Sequence, residues 1–365
     1  MLHYSIMKGI APAKKRVVVA MSGGVDSSLA AGLLKEAGYE VIGITMRLWP
    51  EPEDASLRRP CCLTADVNDA RLVCHILDIP YYILDFEDLF RKHVVELFCR
   101  EYDRGRTPNP CLACNQEIKF RFLLGRVLAL GADYLATGHF SRIDRSDGGA
   151  CLLKGVDPLK DQSYVLYTLG QRELGHLLLP LGGYAKEEVR HLAEERGLPV
   201  AGKKESQDIC FVPSGDYRPF VAGYFPPRPG DIVDMEGVVL GRHPGIAFFT
   251  VGQRHGLGLN PGKPMYVVRI DALHDCVTVG DEEGLYTDRL RAASVHWVSG
   301  EAPPSGLEVK ARTRYRSPEA AAVASVEGKG ARVKFERPQR SITPGQAVVF
   351  YRGDEVLGGG IIEGD

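Results

Sequence analysis

The chain has 365 residues, 44% of them hydrophobic and 25% charged, a balance typical of globular proteins that excludes a disordered or collagen-like chain. A formal net charge of -2, from 45 Lys and Arg against 47 Asp and Glu, argues against a surface that is basic throughout. Two or three domains are expected, because one core rarely serves a chain of this length.

The cysteine count and the N-terminus predict a reducing, cytoplasmic setting. Nine cysteines are an odd number, which fits poorly with a framework of paired disulfides. The N-terminal segment lacks the long apolar stretch of a secretory signal, and no segment approaches the length of a membrane span. We therefore expect a cytoplasmic protein that does not bind a membrane.

The first predicted unit is a strand, a glycine-rich turn and a helix. Residues 16–20 are a β-branched run, the turn Ser22-Gly-Gly-Val-Asp-Ser27 follows, and residues 29–36 are rich in Leu and Ala. With the next strand at residues 41–46 this makes a βαβ unit. The turn then lies at the carboxyl edge of the first strand, where open α/β sheets bind ligands.

The residues of this turn are suited to a phosphate. Gly23 and Gly24 let backbone amides approach an anion. Three serines add hydroxyls beside the positive end of the helix dipole, Ser22, Ser27 and Ser28. A Walker loop needs a lysine after the glycines, and none is present. The turn instead resembles the pyrophosphate loop of ATP pyrophosphatases, which implies that Asp26 helps to position magnesium; an ordinary capped helix is the alternative.

Three cysteines are candidates for chemistry. Cys111 and Cys114 stand three residues apart before a helical pattern, and Cys210 follows much later. A redox pair, a metal or cluster site, and a sulfur relay all remain open. A zinc site that adds Cys61 and Cys62 is a further alternative, although adjacent cysteines fit tetrahedral chelation poorly. The other thiols are expected to be core residues, Cys74, Cys99, Cys151 and Cys276.

The remaining predicted elements divide the chain into a region rich in helices and a later region of short strands. Helices are predicted at residues 70–77, 89–103, 119–130, 172–178 and 186–196. Short strands follow at residues 238–240, 248–251, 265–270 and 276–279, and later at 309–316, 331–336 and 347–351. We predict an α/β domain with a parallel sheet at residues 1–217, a small β-rich domain at 218–284 and a β-barrel at 285–365.

A set of linked motifs resembles that of the bacterial tRNA-specific 2-thiouridylases, from about residue 16 to the C-terminus. The further motifs include Gly105-Arg-Thr-Pro-Asn-Pro110, Cys114-Asn-Gln-Glu-Ile-Lys-Phe120, Ala136-Thr-Gly-His139, Lys160-Asp-Gln-Ser-Tyr164, Ile209-Cys-Phe211, Gly252-Gln-Arg-His-Gly-Leu-Gly258 and Thr343-Pro-Gly-Gln346. The resemblance implies a pyrophosphate-loop fold and ATP-dependent replacement of the C2 oxygen of the tRNA wobble uridine by sulfur. It also implies magnesium, a cysteine desulfurase or sulfur-relay protein as donor, and a monomer.

Residue by residue, the resemblance implies three sets of positions. Cys114 matches the catalytic cysteine, and Cys210 matches the cysteine that carries sulfur as a persulfide. The ATP-binding positions are Ala20, Met21, Ser22, Gly23, Gly24, Val25, Asp26, Ser27, Met46 and Gly138. The tRNA-contacting positions are Asn109, Pro110, Cys111, His139, Lys160, Asp161, Gln162, Arg314, Tyr315 and Gln346.

One position departs from the family pattern. Asp is commonest where this chain has Cys111, so an acid/base role for that carboxylate does not transfer. Cys111, Cys114 and Cys210 instead resemble the three thiols by which some tRNA thiolation enzymes hold a 4Fe-4S cluster. The persulfide relay and the cluster both stay open, and the substitution favours the cluster. A reactive thiolate would need a nearby cation, for which the candidates are Lys119, Arg121, Lys203 and Lys204.

Residues 308–340 carry nine Lys or Arg and four Glu, a surplus that suits phosphate contacts. Arg312, Arg314 and Arg316 would share one face of a strand. The alternative to tRNA contact is a strand face that is simply exposed to solvent. For the predicted tRNA contacts at residues 160–162, the alternative is an exposed turn.

Two other functions also stay open. Another ATP pyrophosphatase, an amidotransferase or lysidine-type ligase, would not need Cys114 and Cys210. A non-catalytic tRNA-binding protein would not need the nucleotide loop.

Overall fold

The computed structural model describes residues 15–50, 64–146, 149–204, 209–212, 215–259 and 262–364. These residues form three parts, each built around its own sheet. An N-terminal α/β part with a parallel sheet is followed by a small β-rich part and a C-terminal barrel, which confirms the predicted fold class.

The N-terminal part contains seven strands among the described residues. They are β1 (Arg16–Ala20), β2 (Glu40–Arg47), β3 (Tyr81–Asp85), β4 (Tyr134–Ala136), β5 (Ser141–Ser146), β6 (Gly149–Lys154) and β7 (Leu177–Leu178). Five of them make a parallel sheet in the order β3-β2-β1-β4-β7. Strand order reverses between β1 and β4, and the crevice at such a reversal is where doubly wound sheets bind ligands.

Helices cover both faces of this sheet. They are α1 (Val25–Glu36), α2 (Thr64–Ile76), α3 (Glu87–Phe90), α4 (Glu96–Asp103), α5 (Pro110–Ala113), α6 (Leu124–Ala129), α7 (Gln171–Gly175), α8 (Lys186–Glu195) and α9 (Tyr217–Tyr224). Successive residues of β1 point to opposite faces, so Val18 joins one buried cluster while Val17 and Val19 join another. None of the helices in the described ranges has the length and apolar character of a membrane span.

Two long helices contain π-helical stretches. Arg91–Val95 joins α3 to α4, and Cys114–Leu123 joins α5 to α6, so the second helix runs without a break over residues 110–129. Widened turns of this kind are frequent at functional sites. Here the second stretch begins at one of the candidate cysteines, Cys114.

The middle part is a four-stranded sheet. Its strands are β8 (Gly230–Val233), β9 (Val239–His243), β10 (Tyr266–Asp271) and β11 (Cys276–Gly280), in the order β10-β11-β8-β9. Ile232, Val267 and Val277 are fully buried in its core.

Six strands make the C-terminal barrel. They are β12 (Tyr286–Trp297), β13 (Leu307–Arg312), β14 (Ala320–Glu327), β15 (Gly330–Arg340), β16 (Ala347–Arg352) and β17 (Glu355–Ile362), in the order β12-β15-β14-β13-β16-β17. Pairing of β12 with β17 closes the barrel. The edge of β17 that pairs with β12 also pairs with β6, nearer the start of the strand, at Glu355 with Leu153 and Val356 with Leu152. A hairpin of the N-terminal part thereby extends the barrel sheet.

Three predicted elements were wrong in part. The helix expected at residues 172–178 ends at Gly175, because Leu177 and Leu178 pair with β4 as a buried edge strand. The strand expected at residues 248–251 is absent, and a turn of 3-10 helix spans Ile246–Phe248. The strand expected at residues 309–316 ends at Arg312.

Close packing around β17 depends on glycine at position 359. A Cβ atom at Gly359 would lie 2.5 Å from the carbonyl oxygen of Val348 and 2.9 Å from the ring of Tyr167. We expect Gly359→Ala to lower the free energy of unfolding by about 1–3 kcal/mol, the usual cost of overpacking. Gly125→Ala is the matched control: its Cβ would enter open space on α6, and the same substitution should stabilise by up to about 1 kcal/mol. Urea unfolding of both variants measures the difference, and equal midpoints would contradict the packing argument.

Candidate functional site

The turn between β1 and α1 is held by its own serines. The backbone N–H of Ser22 donates to Ser27 Oγ at 3.1 Å, and the hydroxyls of Ser27 and Ser28 donate to the carbonyl oxygen of Gly24 at 3.2 and 2.8 Å. Gly23 has a φ of 71°, and a Cβ there would lie 2.2 Å from the carbonyl oxygen of Asp66. Only glycine fits this position, which leaves a compact loop at the amide end of α1.

Two lysines from distant segments reach this loop. Lys186 Nζ lies 2.6 Å from Asp26 Oδ1, and Lys203 Nζ donates to the carbonyl oxygen of Gly23 at 2.9 Å and to Asp66 at 2.6 Å. Burial lowers the pKa of Lys203, but hydrogen bonds to Asp66 and Asp69 outweigh it and leave the pKa raised. Lys203 is therefore charged beside an anion-binding turn, and Lys186 pairs with a carboxylate of the same turn, an arrangement that suits a polyphosphate. Sequence analysis missed Lys186, and it assigned Lys203 to the thiols.

The segment after β4 packs directly on the loop. A Cβ at Gly138 would lie 2.8 Å from the backbone nitrogen of Ser27 and 2.8 Å from the carbonyl carbon of Asp26. Ala20 and Met46 lie at and near the carboxyl ends of β1 and β2, and Met21 and Val25 are buried beside the loop. The predicted ATP-binding positions are thus brought together at one edge of the sheet.

His139 links this edge to the long helix. Its Nδ1 lies 2.7 Å from Thr137 Oγ1, and its Nε2 lies 3.5 Å from Lys119 Nζ. Burial, with a smaller effect of Lys119, holds the pKa of His139 well below its usual range. The ring is therefore neutral at physiological pH and buried.

The three candidate thiols lie on two segments. Cys111 and Cys114 are on the helix over residues 110–129, and Cys210 is in a turn. The side chain of Asn109 accepts a hydrogen bond from the backbone of Cys111 at 3.0 Å and caps α5, and Pro110 occupies the first turn of that helix. Cys114 and Cys210 are both half-buried against the same apolar cluster. Asn109 and Pro110 thus begin the helix that carries Cys111 and Cys114.

The structure brings Cys111 and Cys210 close in space. The thiol of Cys111 is open to solvent, yet surrounding protein raises its pKa, and the charge of Cys210 raises it further. Such a combination is expected for a side chain in an open cleft. Lys119 opposes both effects, so it is the cation beside the thiols. Arg121 instead pairs with Glu117 at 2.8 Å.

A metal site is not evident in this arrangement. Among the described residues, no group of three or more His, Cys, Asp or Glu side chains is placed to hold a metal ion. The seven cysteines that the structure describes are not joined in disulfides. Cys61 and Cys62, the further ligands of the zinc alternative, lie outside the described residues. The thiols as placed do not present a cluster site.

Two of the three residues predicted at positions 160–162 for tRNA contact mainly hold their own loop. Asp161 is 5% exposed and accepts hydrogen bonds from the backbones of Gly155 and Ser163, at 3.1 and 3.0 Å. Gln162 accepts one from the backbone of Phe140 at 2.9 Å. Lys160, at the start of this segment, is half-buried.

The predicted arginine face is wrong. Arg312 ends β13, whereas Arg314 and Arg316 lie in a turn that Ser317 closes by hydrogen bonds to the backbone of Arg314 at 3.0 and 3.1 Å. The guanidinium of Arg314 donates to Thr343 Oγ1 and to the carbonyl oxygens of Val251 and Ser341, at 3.2 and 2.9 Å for the two carbonyls. Arg314 therefore joins the middle part to the barrel.

The same turn and the barrel reach the thiols. Tyr315 packs near Tyr164, with ring centroids 6.0 Å apart, and burial raises its pKa, with smaller effects from Asp161 and Cys111. Gln346 Nε2 donates to the carbonyl oxygen of Thr107 at 2.7 Å, just before the segment that caps α5. The cleft that contains Cys111 is thus lined by both the N-terminal part and the barrel.

Three family models match successive regions of the chain. They are described as the tRNA methyl transferase HUP domain, at residues 15–214, the tRNA methyl transferase PRC-barrel domain, at 218–281, and the aminomethyltransferase beta-barrel domain, at 287–362.

Curated relatives match nearly the whole chain. The tRNA-specific 2-thiouridylase MnmA of Moorella thermoacetica is 53% identical over 352 residues, which covers 95% of this chain and 99% of the relative. The tRNA-specific 2-thiouridylase MnmA of Acetivibrio thermocellus is 49% identical over 357 residues, covering 96% and 99%. A solved 4-thiouridine synthetase–RNA complex with bound ATP has a TM-score of 0.35 at 18% identity, over 55% of this chain and 46% of that one.

The environments of the thiols predict a sharp order of reactivity. Burial raises the pKa of Cys74 to about 11 and that of Cys99 to about 12, so at pH 8 almost no thiolate is present at either position. We expect iodoacetamide to label Cys111 in the native protein, faster as pH rises towards its raised pKa, while Cys74 and Cys99 stay unlabelled until denaturant is added. Peptide mass mapping measures this, and labelling of Cys99 at the rate of Cys111 would contradict the structure.

Proposed function

The chain belongs to the family of tRNA-specific 2-thiouridylases, and from this premise we propose how its cleft replaces the C2 oxygen of the wobble uridine by sulfur. The protein is an ATP-utilising tRNA sulfurtransferase with a pyrophosphate-loop fold. The observation that carries the proposal is the unbroken path from the nucleotide loop through Gly138, His139 and Lys119 to Cys111.

The reaction requires activation of the uracil. C2 is a urea-type carbonyl carbon whose oxygen is a poor leaving group. Attack of that oxygen on the α-phosphorus of ATP releases pyrophosphate and converts the oxygen into part of a phosphate ester. The subsequent attack on C2 then expels AMP instead of oxide. Two different sites are needed, one for a polyphosphate and one for sulfur, and the cleft has candidates for both.

We place ATP at the turn between β1 and α1. Backbone amides at the start of α1, with Lys186 and Lys203, would hold the phosphates that leave as pyrophosphate. Magnesium would be held at Asp26, whose carboxylate is one-third exposed at the mouth of the loop, and would neutralise phosphate charge. Lys186 shares that carboxylate, so ATP-bound magnesium and Lys186 would meet at the same group.

The thiols favour a persulfide route. The terminal sulfur of a Cys210 persulfide attacks C2, the bond from C2 to the AMP oxygen breaks, and AMP leaves with the electron pair. The thiolate of Cys114 then attacks Cys210 Sγ, the sulfur–sulfur bond breaks, and its electrons stay on the sulfur now attached to the uracil. A Cys114–Cys210 disulfide remains, which a thiol reductant must reduce before the next turnover. We derive no step through a cluster, because the thiols are not grouped as its ligands.

The partners follow from this chemistry. A persulfide must be supplied, so we propose a cysteine desulfurase or sulfur-relay protein as donor. We also propose that the enzyme is a monomer and works in a reducing cytoplasm.

On the barrel, Arg289 lies opposite Lys334 and Arg291 opposite Arg332 on paired strands. Arg289 and Arg332 also pair with Asp288 and Glu327, at 3.1 and 2.7 Å. The four exposed cations together support a role in binding tRNA phosphates. We also propose that the chain divides into domains at residues 1–217, 218–284 and 285–365.

Removal of either relay cysteine should separate the two half-reactions. We expect Cys114→Ser and Cys210→Ser to lower formation of 2-thiouridine by roughly 10³-fold or more, since no sulfur can be delivered or released. Release of pyrophosphate, which depends on the nucleotide loop, should persist in both. Nucleoside analysis of tRNA from cells that lack the protein and are complemented with each variant gives the measurement.

Cys276→Ser is the matched control, because this half-buried thiol lies in the middle part, and it should leave 2-thiouridine unchanged. Persistence of 2-thiouridine in cells without the protein would overturn the proposed function. An amidotransferase, a lysidine-type ligase or a non-catalytic tRNA-binding protein would tolerate both cysteine substitutions.

Iron content separates the two sulfur routes. We expect protein prepared without oxygen to be colourless, iron-free and active with a persulfide donor, because Cys111, Cys114 and Cys210 are not placed as ligands. Visible absorption and iron analysis measure this. About four iron atoms per chain, lost in Cys111→Ser together with the activity, would establish the cluster route instead.

A further inference from the structure

Lys119 forms no ion pair with a carboxylate of the residues that the structure describes. It lies on the π-helical stretch Cys114–Leu123 and is half-buried. Among the residues that the structure describes, its hydrogen-bonding partner is the ring of His139, and no Asp or Glu pairs with it. The other cations near the cleft differ, since Lys186 pairs with Asp26 and Lys203 with Asp66.

The partner of Lys119 is uncharged. Because the ammonium only donates, Nε2 of His139 must accept, and the proton of the neutral ring is then on Nδ1, which donates to Thr137 Oγ1 at 2.7 Å. The low pKa of His139 agrees with this protonation state. Thr137 and His139 therefore fix the position of the ammonium without neutralising it.

The position of Lys119 lies between the two half-sites. On one side, His139 follows Gly138, which packs against the backbone of Asp26 and Ser27 in the nucleotide loop. On the other side, the charge of Lys119 acts on the thiol of Cys111. A partly buried charge without a counter-ion is costly, so an anion that arrives during the reaction would relieve that cost.

We propose that Lys119 binds the phosphate that links AMP to the uracil and stabilises the charge that this phosphate gains as AMP leaves, while His139 is the positioning residue for Lys119. The inference rests on the proposed function. In the adenylated uridine the phosphate is a diester with one negative charge. When sulfur attacks C2, the bond from C2 to oxygen breaks, its electron pair goes to that oxygen, and AMP becomes a monoester with a second negative charge. A fixed cation at this point stabilises the product side more than the substrate side.

Lys119→Met tests the proposal in a single-turnover reaction with preloaded persulfide, in which pyrophosphate and 2-thiouridine are measured separately. We expect the rate of 2-thiouridine formation to fall by about 10²–10³-fold, as when one preorganised donor to a developing oxyanion is removed. Pyrophosphate release should change little, so adenylated tRNA accumulates. Lys119→Arg, which keeps the charge, should restore most of the thiolation rate.

Arg121→Met is the matched control, because Arg121 lies on the same helix but pairs with Glu117 at 2.8 Å, and both rates should stay near those of the unaltered enzyme. Equal loss of pyrophosphate release and thiolation in Lys119→Met would indicate a structural role and overturn the proposal. So would thiolation as fast as in Arg121→Met. Failure of the unaltered enzyme to make 2-thiouridine would instead refute the proposed function, so the two outcomes are distinguishable.

Discussion

The close contact between Gly138 and the nucleotide loop is the constraint on which the rest of the site depends. There is no room for a side chain at this point, because a Cβ would lie 2.8 Å from two backbone atoms of the loop. The contact fixes the segment after β4, and with it His139, against the place proposed for ATP. Through His139 and Lys119 the same constraint extends to the helix that carries Cys111 and Cys114.

A second set of contacts holds the barrel against β6 and the segment that follows it. Arg312 pairs with Asp161 at 3.4 Å and with Glu319 at 2.9 Å, and Glu319 pairs with Lys154 of β6 at 2.6 Å. These four side chains are at most 17% exposed. Removing one member of such a buried network would leave an unpaired charge, so the network fixes one arrangement of the two parts.

The local features of the site were predictable from sequence, and the distant ones were not. The turn from Ser22 to Ser27 could be recognised because its strand, glycines and helix are neighbours in the chain. No periodicity brings Lys186 to Asp26, or Cys210 to Cys111, since the fold alone determines these contacts. The alternation of Arg312, Arg314 and Arg316 predicted a strand, but hydrogen bonds from Ser317 made a turn. The family resemblance predicted that Asp161 and His139 contact tRNA. In the structure both are buried, Asp161 against the backbones of Gly155 and Ser163, and His139 beside Thr137 and Lys119.

The pairing of β6 with β17 limits how the enzyme can adapt to its substrate. Backbone hydrogen bonds cross from the N-terminal part into the barrel sheet, so a hinge at this point would break a β-ladder. The walls of the cleft are therefore tied together before any RNA arrives. Under the proposed function, the wobble base would unstack and rotate outward to reach the thiols, so we expect adaptation to come from the anticodon loop. Weak stacking of that base on its neighbours would lower the free energy of this rotation, so we expect the flexibility of the RNA to influence which tRNAs are modified.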